Sequence, residues 1–252
     1  MSRVSLTSGS VSRVPGALRL TFLGTRGGIR GQSRRHRRHS ALLIEHGRHR
    51  LVIDCGADWR GRIDAILPDA ILITHAHPDH AEGLAGGARC PVYASPTTCR
   101  ALARLPIDLH ALVPHTISTI AGLSIEAIPV VHSLLAPAVG YRIEGRVLYV
   151  PDVVDIRRKR SAFAGIVVYI GDGARITRPL IRRTTSGRRF GHTSIRTQID
   201  WCAGAGVRRA IFTHCGTEVV ASGRYGGARV RELGALRAVD AQLAHDGFVI
   251  EV

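Results

Sequence analysis

Apolar residues occur along this chain in short runs cut by glycine, proline or charge: residues 18–23, 41–44, 51–53, 71–73, 147–150, 166–170 and 210–212. Runs of this length, bounded in this way, read as strands with buried faces. The weak alternation of Leu18-Arg19-Leu20-Thr21-Phe22-Leu23 predicts a strand ending at Gly24. Strands over 41–45 and 51–54 are joined by His46-Gly47-Arg48-His49, and a second hairpin over 141–143 and 146–150 turns at Glu144-Gly145. Further strands are expected over 70–74, 92–94, 124–129, 166–170, 210–213 and 248–252, with helices over 96–105, 194–205 and 230–244. Two sheets with helices on their outer faces satisfy this pattern, because the intervening helices cover what the meanders leave exposed. A doubly wound nucleotide fold fits less well: it needs regular strand–helix alternation, and the first 75 residues are nearly all strand and turn. Residues 1–17 read as a loose lead-in and 18–252 as one domain.

Composition narrows the class. At 252 residues and 45% apolar content the chain can bury a substantial core. None of its runs approaches the roughly 20 apolar residues of a membrane span, and Met1-Ser2-Arg3-Val4 opens no secretory signal, so a cytoplasmic protein without membrane contact is expected. The cysteines at 55, 90, 99, 202 and 215 form no CxxC pair, which argues against a disulfide framework and a thiolate zinc knuckle. Cys55 and Cys215 read as buried thiols. The formal charge of +16 is almost all arginine, Lys159 being the one lysine. Genome composition produces such a skew too, but the excess attracts anions either way. With twelve aromatic residues in all, and none interleaved with the basic runs, a base-stacking platform is not indicated. A homo-oligomer is left open.

The densest chemistry is His75-Ala76-His77-Pro78-Asp79-His80, directly after the apolar run that ends at Ile73. His75 and His77 alternate, so both rings can point one way from an extended segment, while Asp79 and His80 return from a helix start. Imidazoles and carboxylates are the ordinary ligands of borderline divalent metals, zinc first, with manganese or iron also suited to a mixed nitrogen–oxygen set. These four donors cannot by themselves enclose two ions. His132, Asp152 and His214 each stand just beyond an apolar strand and are candidates for the rest.

At this point the chain resembles the metallo-beta-lactamase superfamily, through Thr74-His75-Ala76-His77-Pro78-Asp79-His80 and the later His132, Asp152 and His214. The resemblance implies an α/β four-layer αβ/βα sandwich, a single metallo-hydrolase domain over 18–252, and two divalent ions. One ion would take His75, His77 and His132, the other Asp79, His80 and His214, with Asp152 bridging. Asp54 matches an aspartate that supports the loop. Leu23-Gly24-Thr25, residues 37–43 and Phe190-Gly191-His192-Thr193-Ser194-Ile195 are similar to the RNase Z-related and PhnP-like phosphodiesterases, in which a histidine at the place of His192 approaches the scissile phosphate. Two departures weigh against a specific pre-tRNA substrate. The His-Glu pair of that branch is replaced by Gly171-Asp172-Gly173, leaving Asp172 as the nearby carboxylate, and no insertion resembles a tRNA-binding arm.

The expected activity is a binuclear phosphodiesterase acting on a small or cyclic phosphodiester or an exposed nucleic-acid end. In it Asp79 ligates metal and orients the nucleophile, and His192 stabilises charge or donates a proton. Arg182, Arg183, Arg188 and Arg189 are candidate substrate contacts, since guanidinium offers a planar fork to phosphate oxygens. Arg34, Arg35, Arg37 and Arg38 form a second run, and Arg157 to Arg160 a third that could steer polyanions. Tyr225, in the glycine-rich stretch after His214, is a candidate pocket-rim contact. Single-stranded nucleic acid is a candidate partner. Two alternatives stand: a carboxyl-ester, lactone or thioester hydrolase using the same metals, and a nucleic-acid-binding protein with a structural metal centre.

Overall fold

The computed structural model describes residues 16–252, so the lead-in expected over 1–17 lies, but for its last two residues, outside them. The first strands are β1 (Arg19–Gly24), β2 (Ala41–His46), β3 (His49–Ile53), β4 (Ala70–Ile73), β5 (Val92–Ala94) and β6 (Leu109–Ala111). The short helix α1 (Pro78–Ala81) follows β4, and α2 (Pro96–Leu102) joins β5 to β6. Next come β7 (Ile117–Ile120), β8 (Leu123–Val131), β9 (Val139–Ile143), β10 (Val147–Tyr149), β11 (Asp155–Ile156), α3 (Lys159–Phe163) and β12 (Val168–Asp172). A two-stranded hairpin, β13 (Leu180–Arg183) and β14 (Arg189–His192), precedes α4 (Ile195–Gly204), β15 (Arg209–Thr213), α5 (Thr217–Ser222), α6 (Arg224–Ala235), β16 (Asp240–Leu243) and β17 (Phe248–Glu251). One sheet runs β17-β1-β2-β3-β4-β5-β6 and the other β11-β8-β9-β10-β12-β15-β16, with β7 paired to β8.

Strand periodicity explains the layers. In β2 and β4, Leu42, Ile44, Ala70 and Leu72 enter a core shared by the two sheets, while Ala41, Leu43, Ile71 and Ile73 face a separate cluster with Leu84 and Leu102. In β12 and β15, Val168, Ile170 and Ile211 enter the shared core, and Tyr169, Ala210 and Phe212 pack outward against Ile199, Cys202, Val230 and Leu233 of α4 and α6. This is the αβ/βα sandwich that the sequence led us to expect. Among the described residues no helix is long and apolar enough to cross a membrane.

One local expectation fails and another holds only in part. The helix placed over 230–244 ends at Ala235, and residues 240–243 instead extend the second sheet parallel to β15. Ala238 turns with φ 54°, and Val239 and Ala241 bury against the outer face, so tertiary packing overrides local helix propensity. The glycine-rich stretch after His214 folds into α5 and the start of α6; Gly216 and Thr217 line the cavity beside His214, as a pocket rim requires, whereas Tyr225 stands 71% exposed on α6. Arg157 and Arg158 precede α3, as a solvent-facing helix start requires.

Candidate metal centre

Strand ends set the site. β3 and β4 are parallel neighbours, as are β10, β12 and β15. Asp54, His75, Asp152, Asp172 and His214 therefore emerge from the same edge of the sandwich, where ligands of open α/β sheets characteristically bind. Pro78 at the first position of α1 starts the turn that brings Asp79 and His80 back towards His75. Asp54 and His214 hold left-handed backbone, with φ 64° and 53°, conformations that cost about 1–3 kcal/mol at such residues and cluster at functional sites.

The seven expected ligands come together. His75, His77 and His132 form one group whose donor atoms lie within 4.8 Å of one another, and Asp79, His80 and His214 form another. Asp152 lies between them. Its Oδ2 is 2.8 Å from His80 Nε2 and 3.4 Å from His214 Nε2, and its Oδ1 is 3.6 Å from His132 Nε2. The residues suit a divalent metal on physical grounds. His132 Nε2 is buried without a hydrogen-bond partner, and His80 Nε2 and Asp152 Oδ2 are buried with no partner beyond their own 2.8 Å approach. Each unsatisfied buried atom costs about 1–3 kcal/mol, a cost that shared coordination removes. The opposite ring nitrogens are held as ligand histidines require: His80 Nδ1 by Asp54 at 2.9 Å, His132 Nδ1 by the Gly191 carbonyl at 3.0 Å, and His75 Nδ1 by Thr74 Oγ1 at 3.1 Å. Asp54 also accepts the Thr74 amide at 2.8 Å, so it ties the end of β4 to α1 rather than joining the donor groups. The centre binds a divalent-metal cofactor by its chemistry. No cysteine joins it among the described residues, and burial pushes the Cys55 and Cys215 thiols well up.

Electrostatics in the ion-free cluster follow from burial and proximity. Burial lowers the His75 pKa well below its usual value, with His80 adding to the effect. Burial opposes the charge on His80 too, but Asp54, Asp79 and Asp152 together raise it well above the usual range. Burial likewise disfavours ionised Asp152 and is outweighed by His214, His132 and His80, which hold that carboxyl low.

His192 ends β14 and is not a helix cap, since Ser194 takes that place on α4. Its Nδ1 is 2.8 Å from Asp172 Oδ2. Asp172 in turn accepts the amides of Val153 at 3.0 Å and Ala174 at 2.8 Å, which commits its two oxygens. Burial lowers the His192 pKa, but Asp172, then Asp152 and Asp79, raise it to about 9. These bonds take Nδ1 of His192 and leave its Nε2 free beside the donor groups, where His192 also lies within metal-holding distance of His132 and Asp152.

A cavity of about 360 Å³ opens over the centre, lined by His77, Asp79, His132, Asp152, His192 and His214 and by the buried Gly27, Ala174 and Gly216, with the more exposed Gly28, Ile29, Arg175, Leu180 and Thr217 at its mouth. None of the four candidate substrate arginines lines it. Arg182 and Arg183 are exposed on β13, while Arg188 and Arg189 line a neighbouring cavity. Arg175, which no motif marked, is the arginine at the mouth, 3.3 Å from Glu218. Sequence reading also passed over Gln198, which accepts from the Asp172 amide at 2.9 Å and donates to its carbonyl at 2.8 Å. A lone glutamine on a helix carries no signal of that role.

The comparisons agree with this geometry. The chain is similar to a ribonuclease Z of Bradyrhizobium diazoefficiens, 29% identical over 140 residues covering 45% of this chain and 46% of that protein. It is similar also to a ribonuclease J of Sinorhizobium meliloti, 34% identical over 126 residues covering 38% and 22%. The matches thus span less than half the length of these curated relatives. Among solved structures, the metallo-beta-lactamase fold protein YhfI from Bacillus subtilis superposes with a TM-score of 0.72 at 19% identity, covering 94% of this chain and 100% of that one. A diphosphatase from the PhnP family gives 0.70 at 22% identity, covering 94% and 97%. Residues 49–215 match the family model described as the beta-lactamase superfamily domain, and the chain belongs to that superfamily.

Proposed function

We propose that this protein is a binuclear metal-dependent phosphodiesterase, and that the observation carrying this reading is the His192–Asp172 pair set beside the two donor groups. His75, His77 and His132 would hold one ion, Asp79, His80 and His214 the other, and Asp152 both, with zinc the best match to this nitrogen-rich set. The chemistry such ions supply is polarisation of a phosphoryl oxygen and activation of water at neutral pH. The remaining work falls to the chain. Asp172 fixes the His192 ring by its Nδ1 and favours the imidazolium, so Nε2 is placed to give a proton to a departing alkoxide or to neutralise charge on the phosphoryl oxygens. Asp79 lines the cavity 3.0 Å from His214 and is the carboxylate available to orient an attacking water. Arg175 at the mouth adds a cation for an approaching anion. The ribonuclease names of the partial relatives support phosphodiester chemistry in this chain as well.

The apolar lining residues Ile29, Ala174 and Leu180 favour a second reading, hydrolysis of a carboxyl ester, lactone or thioester. A parallel assay of bis(p-nitrophenyl) phosphate, a cyclic nucleotide, a lactone and a thioester decides between them. Turnover of the phosphodiesters is expected; robust lactone or thioester turnover with inert phosphodiesters would reverse the ranking. A nucleic-acid-binding protein with a merely structural metal has no need of the His192–Asp172 pair.

A further inference from the structure

A second cavity, of about 430 Å³, lies on the other side of His132 and shares that residue as a wall with the cavity over the metal centre. Arg157, Arg188 and Arg189 line it, together with Asp155. Asp155 is the one carboxylate there, and it is spent. Its Oδ2 takes Arg189 at 2.8 Å and its Oδ1 takes Lys159. Among the described residues Arg157 and Arg188 make no ion pair, so the cavity keeps two guanidinium groups with no counter-charge. Both side chains are exposed and screened by water, and an anion between them would gain bidentate, charge-assisted hydrogen bonds that neither now makes to a carboxylate.

Two hydrogen bonds tie the wall between the two cavities. Gly191 donates its amide to the His132 carbonyl at 2.8 Å, and its own carbonyl meets His132 Nδ1 at 3.0 Å. The β13–β14 hairpin is therefore bolted to a candidate metal ligand, with His192 paired to Leu180 at the metal-centre end and Arg189 paired to Arg183 further out. Three steps of extended chain, roughly 10 Å, part Arg189 from His192, a span that a nucleoside-sized spacer bridges. Val130, Leu134 and Pro137 line the same cavity with apolar surface suited to a sugar.

We propose that this cavity is a second-phosphate site: Arg157 and Arg188 hold another phosphate of a substrate whose scissile phosphate lies at the metal centre. The proposal rests on the phosphodiesterase reading and adds the requirement for a second anionic group, supplied by a phosphomonoester on a small ester or by the next phosphate of a strand.

The test compares the p-nitrophenyl ester of thymidine 5′-phosphate with the same ester carrying a 3′-phosphate, and with an oligothymidylate. The 3′-phosphate should lower KM by about 10-fold or more, as a charge-assisted contact implies. In Arg157→Ala, and further in Arg157→Ala/Arg188→Ala, the ratio of the two KM values should fall to about one, with partial recovery in Arg157→Lys. Equal KM values for all three substrates in the wild-type protein, or a gain that survives both substitutions, would overturn the proposal. If only the oligothymidylate gains, the second phosphate belongs to a strand; if the 3′-phosphorylated ester gains as much, a small ester suffices. Should neither ester be turned over, the phosphodiesterase reading fails on its own, and calorimetric binding of thymidine 3′,5′-bisphosphate to metal-free protein still decides the site. Affinity weakened by about 10-fold in the double variant upholds it, and unchanged affinity refutes it.

Discussion

Gln198 uses its amide group to pin Asp172, its Oε1 accepting the Asp172 backbone amide and its Nε2 donating to the Asp172 carbonyl, while Tyr169 also donates to Gln198 Oε1, at 2.8 Å. The glutamine is fully buried and Asp172 with it, so the carboxylate that holds His192 has almost no freedom. This fixes what a substitution at His192 should do. His192→Ala removes no expected metal ligand and should keep the metal content and fold while losing roughly 10²-fold or more in phosphodiester turnover. Unchanged turnover with normal metal loading would strike His192 from the catalytic set. A different histidine sets a pH dependence of stability. His36 hydrogen-bonds Thr25 Oγ1 at 2.8 Å, and burial, only partly offset by Asp246, lowers its pKa to about 4. Between about pH 4 and its ordinary 6.5 the unfolded chain binds this proton and the folded chain does not, so stability rises with pH across that window. His36→Gln should flatten the rise in Tm between about pH 4.5 and 6.5. An identical slope in both proteins would mean that His36 is not buried neutral.

The loop between β1 and β2 shows what an element can conceal. Asp246 accepts the amides of Thr25, Arg37 and Arg38 at 3.1, 3.0 and 3.1 Å, and Asp58 accepts the His39 amide and the buried Arg26 guanidinium at 2.8 and 2.7 Å. Two distant carboxylates thus clasp a loop that sequence shows only as glycines and arginines. The clasp presses Gly27 and Gly28 onto the metal centre: a Cβ at Gly28 would meet Asp79 Oδ2 at 2.9 Å, and one at Gly27 would meet His214 Cε1 at 2.9 Å. Gly28→Ala should therefore push Asp79 aside and weaken metal retention on dialysis while barely moving the Tm of the metal-free protein. Wild-type metal retention in that variant would show that the loop yields. The residues of this site were legible where chemistry is local. The dense 75–80 motif announces itself, and His132, Asp152 and His214 each follow an apolar run. The hairpins at Gly47 and Gly145 were legible for the same reason. What depends on pairing across the fold was not: the β13–β14 hairpin, the strand at 240–243, the glutamine behind Asp172, and Arg175 at the mouth rather than the basic runs.

At the scale of the whole molecule the candidate ligands divide between the two sheets. His75, His77, Asp79 and His80 come from the β4–α1 turn of the first sheet, while His132, Asp152 and His214 leave β8, β10 and β15 of the second. The halves do not need metal to meet, because Leu20, Phe22, Ile44 and Leu72 of the first sheet bury against Ile125, Tyr141, Ile170 and Ile211 of the second. Chelation should therefore leave a cooperatively folded protein that is less stable. At free metal about 1,000-fold above Kd, binding adds about 4 kcal/mol per site, and for a chain of this size each kcal/mol moves Tm by roughly 2–4 °C, so removal of two ions should lower Tm by about 15 °C or more. Elemental analysis should find near two ions per loaded chain and fewer in Asp152→Ala, whose metal-free Tm should lie close to that of the metal-free parent. Two firmly held ions in Asp152→Ala would make the bridging role wrong. Loss of the near-UV circular dichroism of the chelated parent would show instead that metal, rather than the apolar core between the sheets, joins the two halves.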